Sequence, residues 1–383
     1  MGSIDDLSEQ RLRRVLDLAE RYSLDHLILG TADNIRYATD YRSLIIHETG
    51  DHMLCLLDGS GDSQVFGPHV REMQETPDPR LPRVRSVRPV AGWTPLQAAI
   101  PEAVAVLGAE LRQDGARSVG YDFIHPLLLA GMESQHPEVS FRCVSEELFE
   151  LRREKLPDEV ALMERAAAAN LDALETAFKA AQPGMTDREV LAVALSAQQK
   201  GDAELITHFT CNVQSGYDWF AGNRRLTAGE PIFLDQVFYG HGGYASDLTR
   251  TAFVGEPASP VLSAYRRLVE VNHAVCEAVR PGVAGWQLDE LLGQLLNKAG
   301  LEPSPYGLGH GIGLRVMEPP TLFENARTWS LRVGDVIALE PETAVEHSGQ
   351  RFALKVEDCY LVEESGLRPL TAPAGHDPFV IPA

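Results

Sequence analysis

The 383-residue sequence has five cysteines, and no two of them are close together along the chain. An odd number of separated thiols argues against a disulfide framework or a zinc knuckle, and it is typical of reduced thiols in a cytoplasm. The sequence also lacks an apolar run of the ~20 residues that a membrane span requires. Its first residues, Met-Gly-Ser-Ile-Asp-Asp, lack the basic and apolar regions of a signal peptide. These absences predict a soluble, cytoplasmic protein.

Basic residues are scarce as well. The chain has 34 Lys and Arg against 55 Asp and Glu, which gives a formal net charge of −21. Nucleic acids and anionic membranes are bound through basic patches, so we expect neither as a partner. Hydrophobic residues make up 44% and charged residues 23% of the chain, as in a soluble globular protein. The length favours two domains over one.

The first part of the chain alternates between helical and strand-like hydrophobic patterns. The predicted elements are a helix over 7–22, strands over 26–29, 53–57 and 119–122, and a helix from 94 to about 113. No group of chemically active side chains gathers in this part. We therefore predict a smaller α/β domain over residues 1–150 and a catalytic domain over 151–383.

The second part contains a repeated helix pattern. A long helix is predicted over 158–181, and Thr186 with Glu189 forms a capping box for a second helix that ends at Lys200. The pair Pro183-Gly184 precedes that helix, and Pro281-Gly282 precedes another one that ends at Lys298. In both copies the lysine follows the proline by seventeen residues. This repeated pattern predicts two related halves, each a helix pair followed by sheet.

Two aspartates flank a predicted hairpin over 232–250. Asp235 and Asp247 are equally far from His241 in the turn-prone Gly-His-Gly-Gly segment. A turn centred on His241 would place them directly opposite each other, with Cβ atoms roughly 4.5–5.5 Å apart. Two carboxylates this close repel unless one is protonated or a cation lies between them. The pattern therefore predicts a metal site.

Three further residues are candidates for the same site. A strand over 335–340 and another over 352–362 flank the turn Ser348-Gly349, which would place Glu340 opposite Glu357. His310 lies among glycines that let its backbone pack closely. Four carboxylates and an imidazole suit Mn²⁺, Mg²⁺ or Fe²⁺, and also admit Co²⁺ or Zn²⁺. Two divalent ions would balance the four negative charges and, about 3.5–4 Å apart, would activate a water molecule as the nucleophile.

The segments around these five residues resemble the prolidase, aminopeptidase P and creatinase family of "pita-bread" metallohydrolases. The matching segments are Leu-Asp235, Ser-Asp247-Leu-Thr-Arg-Thr, Gly-His310-Gly-Ile-Gly-Leu, Leu-Glu340-Pro and Lys-Val-Glu357-Asp. The resemblance covers roughly 150–365, and it follows the family's order of metal ligands. It implies an α/β fold, with a small N-terminal domain and a C-terminal pita-bread domain that has a pseudo-twofold repeat and a curved antiparallel sheet. It also implies two divalent ions, with Mn²⁺ expected before Fe²⁺, Co²⁺ or Zn²⁺, and a homodimer.

The sequence departs from the family at positions that the resemblance assigns to substrate binding and proton transfer. The resemblance implies three further histidines, but this chain has Tyr306 and Met317 at two of those positions and no histidine in the loop 216–225. The predicted catalytic residues are Glu340 as proton shuttle, Tyr306 and His208. The predicted substrate-binding residues are Tyr217, Asp218, Trp219, Arg225 and Met317. The aromatic residues there could instead belong to a core, and His208 could equally be a core histidine. Thr249 is either a hydrogen-bond partner of a ligand carboxylate or an ordinary strand residue.

The sequence thus predicts a hydrolase with two metal ions that cleaves a C–N bond in a small amino-acid-like or dipeptide substrate, such as an Xaa-Pro dipeptide. A non-peptide substrate, of the kind taken by creatinase-like or ectoine-hydrolase-like members, is the main alternative, because the accessory histidines are missing. A metal-dependent lyase is a further alternative. The rival class is a catalytically inactive binding protein, against which the complete set of five ligand types argues.

Overall fold

The computed structural model describes residues 4–42, 53–67, 81–90, 96–212, 222–303, 306–323, 328–371 and 376–382. The chain divides into two compact units, Met1–Leu151 and Arg152–Ala383. Within the described ranges, no helix is both long and apolar enough to cross a bilayer.

The first unit is built on a six-stranded mixed sheet with the order β4-β3-β2-β1-β5-β6. Its strands are β1 (His26–Leu29), β2 (Leu54–Asp58), β3 (Ser63–Gly67), β4 (Val84–Pro89), β5 (Ser118–Tyr121) and β6 (Ser140–Cys143). Its helices are α1 (Ile4–Arg21), α2 (Ala32–Thr39), α3 (Leu96–Gln113), α4 (Pro126–Gln135) and α5 (Ser145–Arg153), whose last two residues begin the second unit. The central strand β1 is buried along its whole length, and Ile28 packs with Val104, Leu107 and Val119 in one core. The predicted α/β alternation is confirmed.

The second unit contains two helix pairs. The helices are α6 (Pro157–Ala180), α7 (Asp187–Lys200), α8 (Ser259–Ala278) and α9 (Gly285–Lys298). The capping box is present, since the Thr186 hydroxyl accepts a bond from the Glu189 amide and the Glu189 carboxylate accepts one from the Thr186 amide. Both Pro-Gly pairs turn the chain before a helix, and their glycines Gly184 and Gly282 have φ angles of 84° and 90°. The repeated Pro-Gly pattern therefore reflects a repeated turn that requires glycine.

Each helix pair is followed by sheet. The first pair precedes β7 (Leu205–Asn212), β8 (Pro231–Tyr239) and β9 (Ala245–Val254), which form a four-stranded sheet with the C-terminal β17 (Phe379–Ile381). The second pair precedes an antiparallel five-stranded sheet and a separate hairpin. The five strands are β10 (Gly309–Gly311), β11 (Glu318–Thr321), β12 (Val336–Leu339), β15 (Asp358–Glu363) and β16 (Gly366–Pro369), and the hairpin is β13 (Glu342–His347) with β14 (Gln350–Lys355). This order agrees with the two related halves expected from the sequence.

The hairpin of the two aspartates has a different register from the predicted one. Asp235 pairs with Thr249, and Asp247 pairs with Val237, so the expected direct opposition of the two aspartates is wrong by two residues. The connection is a 3₁₀ segment, His241–Gly243, rather than a tight turn, and it is centred on Gly242 with a φ of 80°. Because the offset is two residues, both aspartates still point to the same face of the sheet as diagonal neighbours.

The second hairpin has the predicted register but not the predicted length. Ser348 and Gly349 both have positive φ, as a tight two-residue turn requires, and Glu342 pairs with Lys355 at the far end of the ladder. The predicted single strand over 352–362 is wrong, because β14 ends at Lys355 and β15 begins at Asp358 in another sheet. Glu340 and Glu357 lie just beyond the ladder, on either side of the hydrogen bond from the Val356 amide to the Pro341 carbonyl.

Candidate metal centre

The five residues that the sequence predicts as metal ligands come together in the second unit. Asp235 and Asp247 lie on β8 and β9, His310 on β10, Glu340 directly after β12, and Glu357 between β14 and β15. His310 Nε2 is 3.6 Å from Asp247 Oδ2 and 3.5 Å from Glu340 Oε1. One donor atom each from Asp247, His310 and Glu357 lies within 4.8 Å of the others. Residues as far apart in the chain as Asp247 and Glu357, which are 110 positions from each other, thus share one small volume.

A lysine completes this cluster. Lys355 Nζ is 2.6 Å from Asp235 Oδ2, 2.8 Å from Glu340 Oε2 and 3.1 Å from Glu357 Oε2. Its ammonium group therefore contacts three of the four predicted carboxylate ligands. Lys355 is buried, and such a cation neutralises part of the negative charge that burial would otherwise make costly.

The local backbone fixes the orientation of His310. Its Nδ1 atom lies 3.0 Å from the carbonyl oxygen of Gly311, to which it donates, so Nε2 is the atom directed at the two carboxylates. Gly309 has a φ of 150°, and a Cβ atom there would collide with the carbonyl oxygen of Ala338 on β12. The glycines around His310 therefore allow β10 to approach its neighbour closely.

Hydrogen bonds from β9 orient Glu357. The Thr249 hydroxyl donates to Glu357 Oε2 at 2.7 Å, which confirms Thr249 as a partner of this carboxylate. The Arg250 guanidinium donates to the Glu357 carbonyl at 2.8 Å and to Asp358 Oδ1 at 2.6 Å. Thr249 and Glu357 also form an isolated β-bridge. Glu357 is therefore held by both its backbone and its side chain.

The donor set fits a bound cation. Asp247 Oδ1 and Glu357 Oε1 are buried and have no hydrogen-bond partner among the residues that the structure describes. Orphaned carboxylate oxygens are costly, and a divalent ion bonded to them would satisfy both. With Asp235, Glu340 and the Nε2 atom of His310, they form the oxygen-rich set with one imidazole that Mn²⁺ and Fe²⁺ accept.

The electrostatics of the metal-free centre favour bound protons. Burial raises the pKa of Asp247 and, together with the charge of Asp247, raises the pKa of Glu357 well above its ordinary value. Burial opposes a charge on His310, but the bond to Asp247 and the charge of Glu340 outweigh it and raise the His310 pKa to about 9. A cation that binds here has to displace these protons.

Sequence reasoning missed two residues of this cluster, Lys355 and Glu342. Lys355 stands two residues before Glu357, and Glu342 stands two residues after Glu340. Burial raises the Glu342 pKa to about 8, although the Lys355 charge lowers it, and Asp235 and Glu340 raise it further. The period of two in a strand, which places alternate residues on one face, was the signal that could have identified both.

The other predicted site residues are placed as follows. Tyr306 is 37% exposed and Met317 is 56% exposed, in the segments before β10 and β11. Arg225 is exposed and donates to the carbonyl oxygen of Gly184 at 2.7 Å. The backbone of His208 pairs with Val237, which in turn pairs with Asp247. Tyr217, Asp218 and Trp219 lie outside the described residues, and the roles of all these residues stay predictions.

Comparison with known proteins identifies the family of this chain. Residues 161–364 match the metallopeptidase family M24, and because this is more than half of the chain, the protein belongs to that family. It is 24% identical over 374 residues to the Xaa-Pro dipeptidase of Pyrococcus horikoshii, which covers 96% of this chain and 98% of that protein. It is also 28% identical over 238 residues to the Xaa-Pro dipeptidase of Pyrococcus furiosus, covering 60% and 66% of the two chains.

Solved structures confirm the fold. The X-Pro aminopeptidase from Thermotoga maritima superposes with a TM-score of 0.82 at 20% identity, over 97% of this chain and 99% of the other. The prolidase from Pyrococcus horikoshii superposes with a TM-score of 0.76 at 21% identity, over 95% and 98%. The predicted family resemblance and the pita-bread fold are therefore both confirmed.

Proposed function

We propose that this chain is a hydrolase with two divalent metal ions that cleaves the C–N bond of a small dipeptide, with an Xaa-Pro dipeptide as the first candidate. Membership of a metallopeptidase family supports metal-dependent hydrolysis, and the dipeptide class follows the names of the relatives. The observation that carries the proposal is the convergence of the five ligand-type residues, with buried oxygens of Asp247 and Glu357 left without a partner among the described residues.

The proposed ligands are Asp235, Asp247, His310, Glu340 and Glu357, with Mn²⁺ as the first candidate metal and Fe²⁺, Co²⁺ or Zn²⁺ as alternatives. Bound divalent ions supply Lewis-acid polarisation of the substrate carbonyl and a water molecule of lowered pKa. The chain supplies a rigid frame, since Thr249 and Arg250 hold Glu357 and the Gly311 carbonyl holds His310. Such outer contacts fix ligand geometry and tune metal affinity.

Glu340 is the proposed proton carrier. Its side chain is 15% exposed, whereas those of Asp247 and Glu357 are 7% and 0% exposed. It is therefore the one of these three that incoming water or substrate reaches most easily. A carboxylate in this position can take a proton from water at Oε1 or Oε2 and pass it to the leaving nitrogen.

Elemental analysis of purified protein tests the metal part of this proposal. We expect more than about one equivalent of metal in the native protein and a loss of at least half of it in Asp235→Asn, because the site loses a charged ligand. Asp172→Asn, an exposed change on α6, is the matched control and should keep the full content. Less than about half an equivalent in the native protein, with no loss of stability in Asp235→Asn, would favour the inactive binding protein instead.

Substrate assays separate the peptide from the non-peptide reaction. The second candidate function is hydrolysis of a non-peptide C–N bond. It is supported by Tyr306 and Met317, which occupy positions where the sequence resemblance implies histidines and whose side chains are exposed. Methionine carries no titratable proton. The assay is turnover of Gly-Pro and longer Xaa-Pro peptides by protein with its full metal content. If protein with both ions bound hydrolyses none of these peptides, the peptidase proposal is wrong, and hydrolysis of a non-peptide substrate or a lyase reaction takes its place.

We further propose that the protein is a cytoplasmic homodimer whose residues 1–150 form a separate creatinase-like domain and whose catalytic function belongs to residues 151–383. All members of the candidate metal centre belong to that second segment, which supports this assignment. Light scattering of the full chain tests the dimer, and a monomer mass at micromolar concentration would refute that part.

A further inference from the structure

Lys355 occupies three of the carboxylate oxygens that the proposed ligands offer to two metal ions. The ammonium group lies 2.6 Å from Asp235 Oδ2, 2.8 Å from Glu340 Oε2 and 3.1 Å from Glu357 Oε2. A divalent transition-metal ion bonds to carboxylate oxygens at about 2.0–2.2 Å. Two cations cannot approach the same three oxygens this closely, because they repel each other and fill the same volume. The oxygens that Lys355 does not contact, among them Asp247 Oδ1 and Glu357 Oε1, are open to a first ion. A second ion needs the oxygens that the Lys355 ammonium occupies, so its binding requires the ammonium to leave its present place.

Glu342 is a neighbouring acceptor for that ammonium. Glu342 is directly opposite Lys355 in the β13–β14 ladder, so the two side chains emerge on the same face with Cβ atoms roughly 4.5–5.5 Å apart. Glu342 is only 5% exposed, and its Oε1 atom has no hydrogen-bond partner among the described residues. Because the two residues are paired and the lysine side chain is long and flexible, its rotation would move Nζ towards this oxygen while the backbone pairing is kept.

The charges of the centre agree with such a transfer. When Lys355 and Glu342 pair with each other, their charges cancel. The four carboxylates of Asp235, Asp247, Glu340 and Glu357 are then balanced by two divalent ions. When Lys355 instead remains among the ligands, its ammonium adds one positive charge to carboxylates that the two ions already balance. Glu342 Oε1 then keeps no hydrogen-bond partner among the residues that the structure describes, which costs free energy.

We propose that Lys355 is a movable counter-ion, which holds the ligand carboxylates together in the metal-free protein and transfers to Glu342 when the second ion binds. Glu342 is accordingly a positioning residue for metal loading and not a ligand. This inference rests on the proposed function, because it presumes a centre with two ions.

Calorimetric titration of chelator-stripped full-length protein with Mn²⁺, with elemental analysis of the product, tests this inference. We expect two ions per native chain. Glu342→Gln should keep the first ion and bind the second about tenfold more weakly, which corresponds to about 1.4 kcal/mol. Glu346→Gln on the same strand, with a side chain that is 79% exposed, is the matched control and should bind as the native protein does.

The outcomes distinguish this inference from the proposed function. A native protein that binds no metal would remove both. A native protein that saturates at one ion would overturn the transfer and the two-ion part of the proposed function, and would leave only metal-dependent hydrolysis with a single ion. Two ions bound by Glu342→Gln with native affinity would overturn the transfer alone.

A second variant measures the coupling between the two residues. In Lys355→Met no ammonium has to be displaced, so adding Glu342→Gln should change the dissociation constant of the second ion less than about twofold. An equal tenfold loss in both backgrounds would show that Glu342 acts on the ion directly and would refute the transfer. Should Lys355→Met fail to fold, the titration of Glu342→Gln still decides the question.

Discussion

At the scale of single residues, the protons of the centre contribute to the stability of the metal-free fold. The pKa of Glu342 rises from 4.5 to about 8 through burial, and that of His310 rises from 6.5 to about 9, where Asp247 and Glu340 outweigh its burial. Both groups hold protons more tightly when folded, so the free energy of unfolding falls with rising pH, over 4.5–8 for Glu342 and 6.5–9 for His310. Urea unfolding of chelator-treated protein should show a lower midpoint at pH 9 than at pH 6.

Bound metal should oppose this fall in stability with rising pH. Metal ligands must be deprotonated, so Mn²⁺ should raise the urea midpoint more at pH 9 than at pH 6. An unchanged or higher midpoint at pH 9 in the metal-free protein would contradict the raised pKa values.

Thr249 offers a second test at this scale. Thr249→Val keeps the shape of the side chain and removes the hydrogen bond to Glu357 Oε2. We expect a folded protein with about tenfold weaker Mn²⁺ affinity, because the carboxylate loses its orienting partner. The measurement is a calorimetric titration with Mn²⁺.

Thr251→Val is the control for Thr249→Val, because Thr251 lies on the same strand and its hydroxyl donates to a backbone carbonyl, that of Lys355. It should cost similar stability with Mn²⁺ affinity retained. Equal affinity losses in the two variants would show that general destabilisation, and not the orientation of Glu357, is responsible.

At the scale of elements, the contact between β10 and β12 depends on Gly309. Gly309→Ala would drive a Cβ atom into the Ala338 carbonyl, so a strand must move, at a cost of about 3 kcal/mol or more. Gly349→Ala, at a positive φ but in open space, should cost only about 1–2 kcal/mol. Chemical denaturation of both variants checks this difference. Equal costs would mean that the close approach of the strands is not what selects glycine at 309.

Elements with local signals could be predicted from the sequence, and long-range registers could not. The capping box of Thr186 with Glu189 involves residues three apart, so its prediction needed no tertiary information. The register of the β8–β9 hairpin instead depends on the conformation of Gly242, which the residue type permits but does not impose. The break after Lys355 arises because Glu357 pairs with Thr249 on a distant strand.

The residues of the candidate metal centre could likewise be predicted only in part. Residue type and order were enough to choose Asp235, Asp247, His310, Glu340 and Glu357, and the structure brings all five together. Lys355 and Glu342 were missed although the predicted register about Ser348-Gly349 already places them opposite each other, because a lysine is not a metal-ligand type and its residue type alone does not mark it as part of the centre.

At the scale of the whole molecule, metal binding should appear as thermal stability. A ligand that binds only the folded state stabilises it by about 2.7 kcal/mol at one hundred times its dissociation constant. Mn²⁺ should therefore raise the Tm of chelator-stripped protein in a concentration-dependent manner. Asp247→Asn should lose most of this shift, whereas Asp172→Asn should retain it. The same shift in both variants would place the stabilising ions elsewhere on this acidic chain.

The β-bridge between Thr249 and Glu357 has a consequence for how the chain unfolds. It joins a strand that follows the first helix pair to a segment that follows the second, and the proposed ligands are likewise divided between the two halves. An ion held by Asp235 and Asp247 on one side and by His310 and Glu357 on the other would act as a cross-link. The halves would then open together, and the amide hydrogens that exchange through this opening would share one opening free energy in both halves, which would fall when the metal is removed.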